Sequence, residues 1–297
     1  MRAKRTFGVV SLAVAALLAA CGDGSSDAEG ASAPAEEADA PERIVSVSPS
    51  LTETLYAVGA GDQVVAVDEY STWPEDAPVT DLSGYEPNVE AIASYDPDLV
   101  VASDLPPEVV DGLEALDIEV YQGPAAATLE EVFAQIEEVG EVTGHAEEAA
   151  DLVDEMRAEI DEILQEVPER EVRPTYYHEL DDTLYTVTSQ TFIGELYALA
   201  GLENVADAAD PNGEFGGYPQ LSREFLLEAD PDFIFLADAQ CCGQDAETLA
   251  ARPGFADLAA VREGRVVELD EDVASRWGPR VVDLLRTIVD ATASYAP

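Results

Sequence analysis

The stretch EAIASYDPDLVVASD, beginning at Glu90, ends a helix, turns through Asp-Pro-Asp and enters an apolar run. The stretch EFLLEADPDFIFLAD, beginning at Glu224, repeats it with Glu, Asp-Pro-Asp and a final Asp in the same register. Proline stops the helix, and a short apolar run bounded by turn residues reads as a strand buried on both faces. A chain of 297 residues that builds this unit once in each half predicts two α/β lobes with separate parallel sheets.

The flanking sequence agrees. From Arg43 onward RIVSVS, SLTETLYAVGAG, QVVAVD, DLVVAS and IEVYQG alternate β-branched runs with amphipathic stretches. Ser50 or Thr52 reads as a helix start and Gly59 to Gly61 as its stop. The second half gives TYYHEL, LYTVTS, TFIGELYALAG, DFIFLAD and RVVELD in the same order of types. Between the halves, Thr128 and Glu131 form a capping-box pattern. Then Leu152, Val153, Met156, Ile160, Ile163, Leu164 and Val167 share one helical face until Pro168. The expected organisation is a first lobe over 43–142, a rigid bridging helix over 143–168 and a second lobe over 169–297, with a ligand cleft between the Rossmann-like lobes. A helical strut in place of a Gly/Ser hinge predicts lobes that move only slightly against each other.

Residues 1–21 belong to neither lobe. Arg2, Lys4 and Arg5 precede an uncharged apolar run from Phe7 to Ala20 that is short for a membrane span, the pattern of an export signal. It ends in LLAAC, which resembles the lipobox of bacterial lipoproteins and implies that Cys21 is lipidated and becomes the mature N-terminus. Residues 22–42 are Gly, Ser, Ala, Pro and acid, an expected disordered tether that holds the lobes outside the cell membrane, on its periplasmic or outer-surface side.

Charge and composition narrow the chemistry. Acidic residues number 63 against 14 basic ones, which excludes nucleic-acid binding and sets an unfavourable field for a strongly anionic ligand. The only lysine, Lys4, leaves with the signal, so no Schiff base and no phosphate-binding GxxxxGK[ST] loop are available. His145 and His178 are the only histidines and have no paired metal spacing; HExxH and GxSxG are absent. No catalytic residue, metal site or resident cofactor is expected, and the chain reads as a binder rather than an enzyme.

Ligands of open parallel sheets sit beyond the carboxyl ends of the strands. The loops at those positions carry Tyr70 and Trp73, Tyr85, and Ser103 with Asp104 in the first half. In the second half they carry His178, Tyr218, Gln240, Asp272, Arg276 and Trp277. Flat apolar faces with a few directional polar groups suit a large, rigid, mostly neutral ligand, although each aromatic alone is equally compatible with core packing.

RIVSVSPSLTETLYAVGAGDQVVAV, PNVEAIASYDPDLVVAS, YPQLSREFLLEADPDFIFL and GRVVELDEDVASRWGPR together resemble the vitamin B12 and ferric-siderophore family of ABC-importer substrate-binding proteins, from about Arg43 to Thr292. The resemblance implies a monomeric receptor that delivers a metal–organic complex to a permease dimer with its ATPase subunits. It also implies that Glu90 and Glu224, one per lobe, dock into permease arginines; acids near helix N-termini are also favoured by the helix dipole. Asp272 and Arg276, followed by Pro279 and Arg280, fit the Asp-x-x-x-Arg spacing of the B12-binding members, and the Arg is equally suited to a siderophore oxygen. Gly84-Tyr85 stand where those members carry a tryptophan beside the glutamate motif, and Ser103 follows DLVVA, a departure from the corrinoid pattern. The ligand expected is cobalamin or another corrinoid, with a ferric hydroxamate or haem as the alternative. Cys241 and Cys242 are adjacent outside the reducing cytoplasm, so a vicinal disulfide or a packed thiol pair is open to them.

Overall fold

The computed structural model describes residues 40–295, so Cys21 and the expected signal lie outside the described residues, as does most of the tether. The strands are β1 Ile44–Val47, β2 Val64–Val67, β3 Leu99–Ala102, β4 Glu119–Gln122, β5 Thr175–Glu179, β6 Glu203–Asn204, β7 Phe233–Leu236 and β8 Val266–Glu268. They form two sheets of identical topology, β2-β1-β3-β4 and β6-β5-β7-β8, in which every pairing is parallel. Helices cover both faces, so the central strands β1, β3 and β7 are buried throughout, which is why they read as unbroken apolar runs rather than alternating ones.

The repeated Asp-Pro-Asp has the same task in both lobes. Asp96 (φ 49°) and Asp230 (φ 43°) adopt the left-handed conformation that ends each preceding helix. Two residues on, Asp98 accepts from the backbone N–H of Glu42 and Arg43 at 2.9 and 3.0 Å, at the entrance to β1. Asp232 accepts from Thr175 N and Thr175 Oγ1 at 2.9 and 3.0 Å, at the entrance to β5. Each carboxylate fastens its turn to the strand beside it, satisfying donors that the ladder leaves free.

The first helix, Pro49–Ala57, starts before the expected Ser50 or Thr52. Ser48 is the cap, its Oγ accepting from Leu51 N at 3.4 Å, and Pro49 takes the first helical position, where a missing N–H costs nothing. Gly59, at φ 90°, ends it as expected. The stretch between the lobes is two packed helices, Leu129–Thr143 and Ala146–Gln165, separated by a left-handed Gly144. Gly140 lies against Ala149, a contact that leaves no room for a side chain and locks the pair. Thr128 Oγ1 accepts from Glu131 N, but Glu131 reaches back to Ala127 N rather than to Thr128, so the capping box closes one residue early. On Ala146–Gln165, Val153, Met156, Ile160 and Ile163 are buried, with Leu152 and Leu164, and Val167 just past the helix end, packed at their margin. The C-terminal helix Val281–Thr292 packs on it, completing the core between the lobes.

Candidate functional site

The carboxyl ends of β1, β2, β3 and β8 converge on a cleft of about 550 Å³. Its first-lobe wall comprises Val47 to Ser50, Asp68, Tyr70, Gly84, Tyr85, Ser103 and Asp104; Glu271, Asp272, Ser275, Arg276 and Trp277 come across from beyond β8. Backbone geometry puts them there, since a parallel sheet delivers every loop after a strand to the same edge.

Tyr70 and Tyr85 meet edge to face, with ring centroids 5.4 Å apart and planes at 88°. Tyr85 is 82% exposed, a flat apolar face left open to the cleft. Ser48 and Ser103 share a hydrogen bond of 2.5 Å between their hydroxyls. Asp68 is buried beneath them: Oδ1 accepts from Tyr70 N and Ser71 N at 2.9 and 2.8 Å, whereas Oδ2 has no protein partner. Burial raises its carboxyl above the ordinary range, against the pull of those two N–H groups. A side chain at Gly84 would come within 2.8 Å of Oδ2, so only glycine fits over it.

A buried ion cluster closes one edge. Glu53, on the inner face of the first helix, is 4% exposed. It accepts from Arg276 Nη1 at 2.7 Å, and from Arg280 Nε and Nη2 at 2.8 and 2.5 Å. Arg276 Nη2 also donates to Tyr70 O at 3.0 Å and to Asp272 Oδ1 at 2.5 Å, while Thr72 Oγ1 donates to Asp272 Oδ2 at 3.0 Å. Its guanidinium is therefore spent on the protein, and Arg276 faces the cleft as a strut between lobes. Trp277 Nε1 donates to Gln135 Oε1 at 3.2 Å, a second tie.

Of the residues expected at the ligand, Tyr70, Tyr85, Ser103, Asp272, Arg276 and Trp277 line this cleft. The others do not. Trp73 lies in a neighbouring recess with Arg280 stacked over its ring, 5.0 Å from the centroid. His178 points into the second-lobe core, its Nδ1 2.9 Å from Tyr197 Oη, because it sits within β5 rather than after it. Burial pulls its pKa down to about 4. Tyr218, on a second-lobe loop, and Gln240, in the short helix Ala239–Cys242, are exposed and outside the cavity lining. Cys241 and Cys242 are joined as a disulfide in the short helix Ala239–Cys242, where Cys241 N donates to the cleft residue Glu271 at 2.7 Å. Glu53 and Asp68 were not singled out from sequence. The available signal was a Glu inside an otherwise Thr/Leu helix and an Asp directly after an apolar strand.

Glu90 and Glu224 stand at matching places on the two lobes. Each is exposed at the second position of a short helix, Val89–Ala93 capped by Asn88 and Arg223–Ala229 capped by Ser222. Among the described residues there is no helix long and apolar enough to cross a membrane.

A family model described as periplasmic binding protein matches residues 44–273. The chain belongs to that family. A cobalamin-binding protein of Halobacterium salinarum is 33% identical over 259 residues, covering 84% of this chain and 69% of the relative. A vitamin B12-binding protein of Yersinia pestis is 30% identical over 208 residues, covering 68% and 72%. Among solved structures, the periplasmic vitamin B12 binding protein BtuF of Vibrio cholerae superposes with a TM-score of 0.67 at 26% identity, over 84% of this chain and 96% of that one. The periplasmic heme-binding protein RhuT of Roseiflexus gives 0.73 at 25% identity, over 84% and 98%. The two-lobed α/β fold is thus that of the periplasmic binding proteins.

Proposed function

We propose that this periplasmic binding protein is the lipid-anchored substrate-binding component of an ABC importer that captures a corrinoid and delivers it to the permease. The observation that carries the ligand class is the cleft itself: an open tyrosine face beside a small set of polar groups, closed at one edge by a cross-lobe ion cluster. Such a site rewards a broad, rigid, largely uncharged molecule, whose amide edge would meet Ser103, Asp272 and the Asp104 carboxylate. Relatives of two lineages that carry cobalamin or vitamin B12 in their names favour the corrinoid within that class. The anchor rests on LLAAC ending at Cys21; a Bacillus subtilis relative, 29% identical over 260 residues, is named an ABC transporter substrate-binding lipoprotein. Glu90 and Glu224 serve as the two permease contacts, and the chain acts as a monomer that performs no catalysis.

Haem, or a ferric hydroxamate, is the second reading, favoured by the fold of the heme-binding RhuT, whose TM-score of 0.73 exceeds the 0.67 of the vitamin B12 binding protein. Titrating the purified protein with cyanocobalamin, haem and a ferric hydroxamate, followed by intrinsic tryptophan and tyrosine fluorescence, separates the two. Saturation by cyanocobalamin alone supports the corrinoid; saturation by haem or the hydroxamate alone replaces it.

A further inference from the structure

The ion cluster at the cleft edge neutralises itself. Arg276 pairs with Glu53 and Asp272, and Arg280 with Glu53, so two guanidinium groups meet two carboxylates and their charges cancel. What remains on the cleft wall is negative. Asp68, Asp104 and Glu271 all line the cavity, and among the described residues Arg276 is the only cation in that lining.

These three acids differ in how far their charge carries. Asp104 is exposed and Glu271 half-buried, and salt screens such charges within about 10 Å. Glu271 also accepts from Cys241 N at 2.7 Å. Asp68 is 2% exposed, and salt screens it far less. Its Oδ1 is held by the backbone N–H groups of Tyr70 and Ser71, but Oδ2 has no protein donor, so half of the carboxylate is uncompensated. Burial outweighs the pull of Arg276 on this carboxyl. The backbone around it is fixed as well, with Asp68 N donating to Ser46 O at 3.0 Å and Glu69 N to Leu82 O at 2.9 Å. Gly84, which also lines the cleft, covers Oδ2 without a side chain; a Cβ there would lie 2.8 Å from the oxygen. The charge therefore sits in a fixed place, in a low-dielectric wall, under a thin cover.

We propose that Asp68 sets the charge selectivity of the cleft, favouring a cationic or neutral metal–organic complex over one that presents a carboxylate to this wall. This rests on the corrinoid reading and deepens it, because one corrin ring is obtainable in all three charge states. Aquacobalamin is a cation, cyanocobalamin is neutral, and the monocarboxylates of cyanocobalamin, in which one amide is hydrolysed, are anions. The test is equilibrium titration of the wild-type protein, Asp68→Asn and Asp104→Asn with these three forms, at neutral pH and at low and high salt. The wild type should bind aquacobalamin most tightly and the monocarboxylates most weakly. Successive forms should differ by about tenfold, the scale of one charge felt across roughly 10 Å at an effective dielectric constant of about 20. Asparagine can still accept from Tyr70 N and Ser71 N but carries no charge, so Asp68→Asn should collapse both ratios at either salt concentration. Asp104→Asn should shift them less, and at low salt only. Ratios that survive Asp68→Asn overturn the inference alone. Equal binding of the three forms by the wild type overturns it too, with no variant needed. A wild-type protein that binds none of the three overturns the corrinoid reading and this inference with it.

Discussion

Glu53 of the first lobe and Arg276 from beyond the last strand of the second lie 2.7 Å apart, although 223 residues separate them. Arg280 grips the same carboxylate with two further hydrogen bonds. Buried charges of this kind are costly to separate, so the edge of the cleft is held by a joint that tolerates little opening. The first prediction follows directly. Glu53→Ala should destabilise the protein by about 3–5 kcal/mol, because two partly buried guanidinium groups lose their common partner. Arg276→Ala should cost less, since Arg280 still pairs with Glu53. Chemical denaturation measures both, and an equal or reversed order would show that Glu53 is not the hub.

Ligand affinity should respond to the same joint. Arg276→Ala is expected to weaken ligand binding by on the order of 1–3 kcal/mol, through release of Tyr70 and Asp272 rather than through a lost direct contact. Combined with Glu53→Gln, the two effects should be strongly non-additive. Full additivity in a double-mutant cycle would return Arg276 to the role of an independent ligand contact.

Two groups in the second lobe should tilt stability with pH in opposite senses. Burial and the neighbouring Glu179 charge push Asp238 from 3.8 up to about 6, so between those values the folded state holds a proton that the unfolded chain has released. Its contribution to stability falls as pH rises through that window. His178, pulled from 6.5 to about 4, binds fewer protons folded than unfolded, and its contribution rises with pH over 4 to 6.5. Asp238→Asn should therefore steepen the gain in stability with pH relative to wild type, and His178→Phe should flatten or reverse it. Urea midpoints measured from pH 4 to 7 give the two differences; slopes that move the other way would show that these groups are not the ones titrating.

The lobe count, the parallel sheets and much of the first-lobe wall were legible in the sequence because they depend on local pattern. Asp-Pro-Asp appears twice because each lobe needs the same left-handed turn and the same carboxylate tie to its neighbouring strand. The cross-lobe cluster was not legible: Glu53 looks like any acid in a first helix, and nothing local reveals two arginines arriving from the far end of the chain. His178 misled for a related reason. A histidine near a strand end reads as a loop residue, whereas one residue of register places it in the core with Tyr197. The bridging helix was legible from its apolar face: Ala146–Gln165 lies within the expected 143–168, and Gly144 sets it apart from the Leu129–Thr143 helix packed on it, whose pairing no local pattern shows.

The proposed docking and anchoring roles should be separable from ligand capture. Alanine at both Glu90 and Glu224 should abolish uptake while leaving the Kd of the isolated protein unchanged, since both side chains are exposed at helix starts and absent from the cleft lining. A matching loss of ligand affinity would place them in binding instead. Cys21→Ser should prevent lipid attachment, read by loss of radiolabelled palmitate; label that persists in the variant excludes Cys21 as the anchor.

The most direct measurement is equilibrium titration of the wild-type protein with cyanocobalamin beside haem and a ferric hydroxamate. Saturable, single-site binding of cyanocobalamin, with quenching of the cleft tyrosines and Trp277 and no saturation by the other two, is the expected result. Saturation by haem or the ferric hydroxamate with no saturable response to cyanocobalamin would contradict the corrinoid assignment.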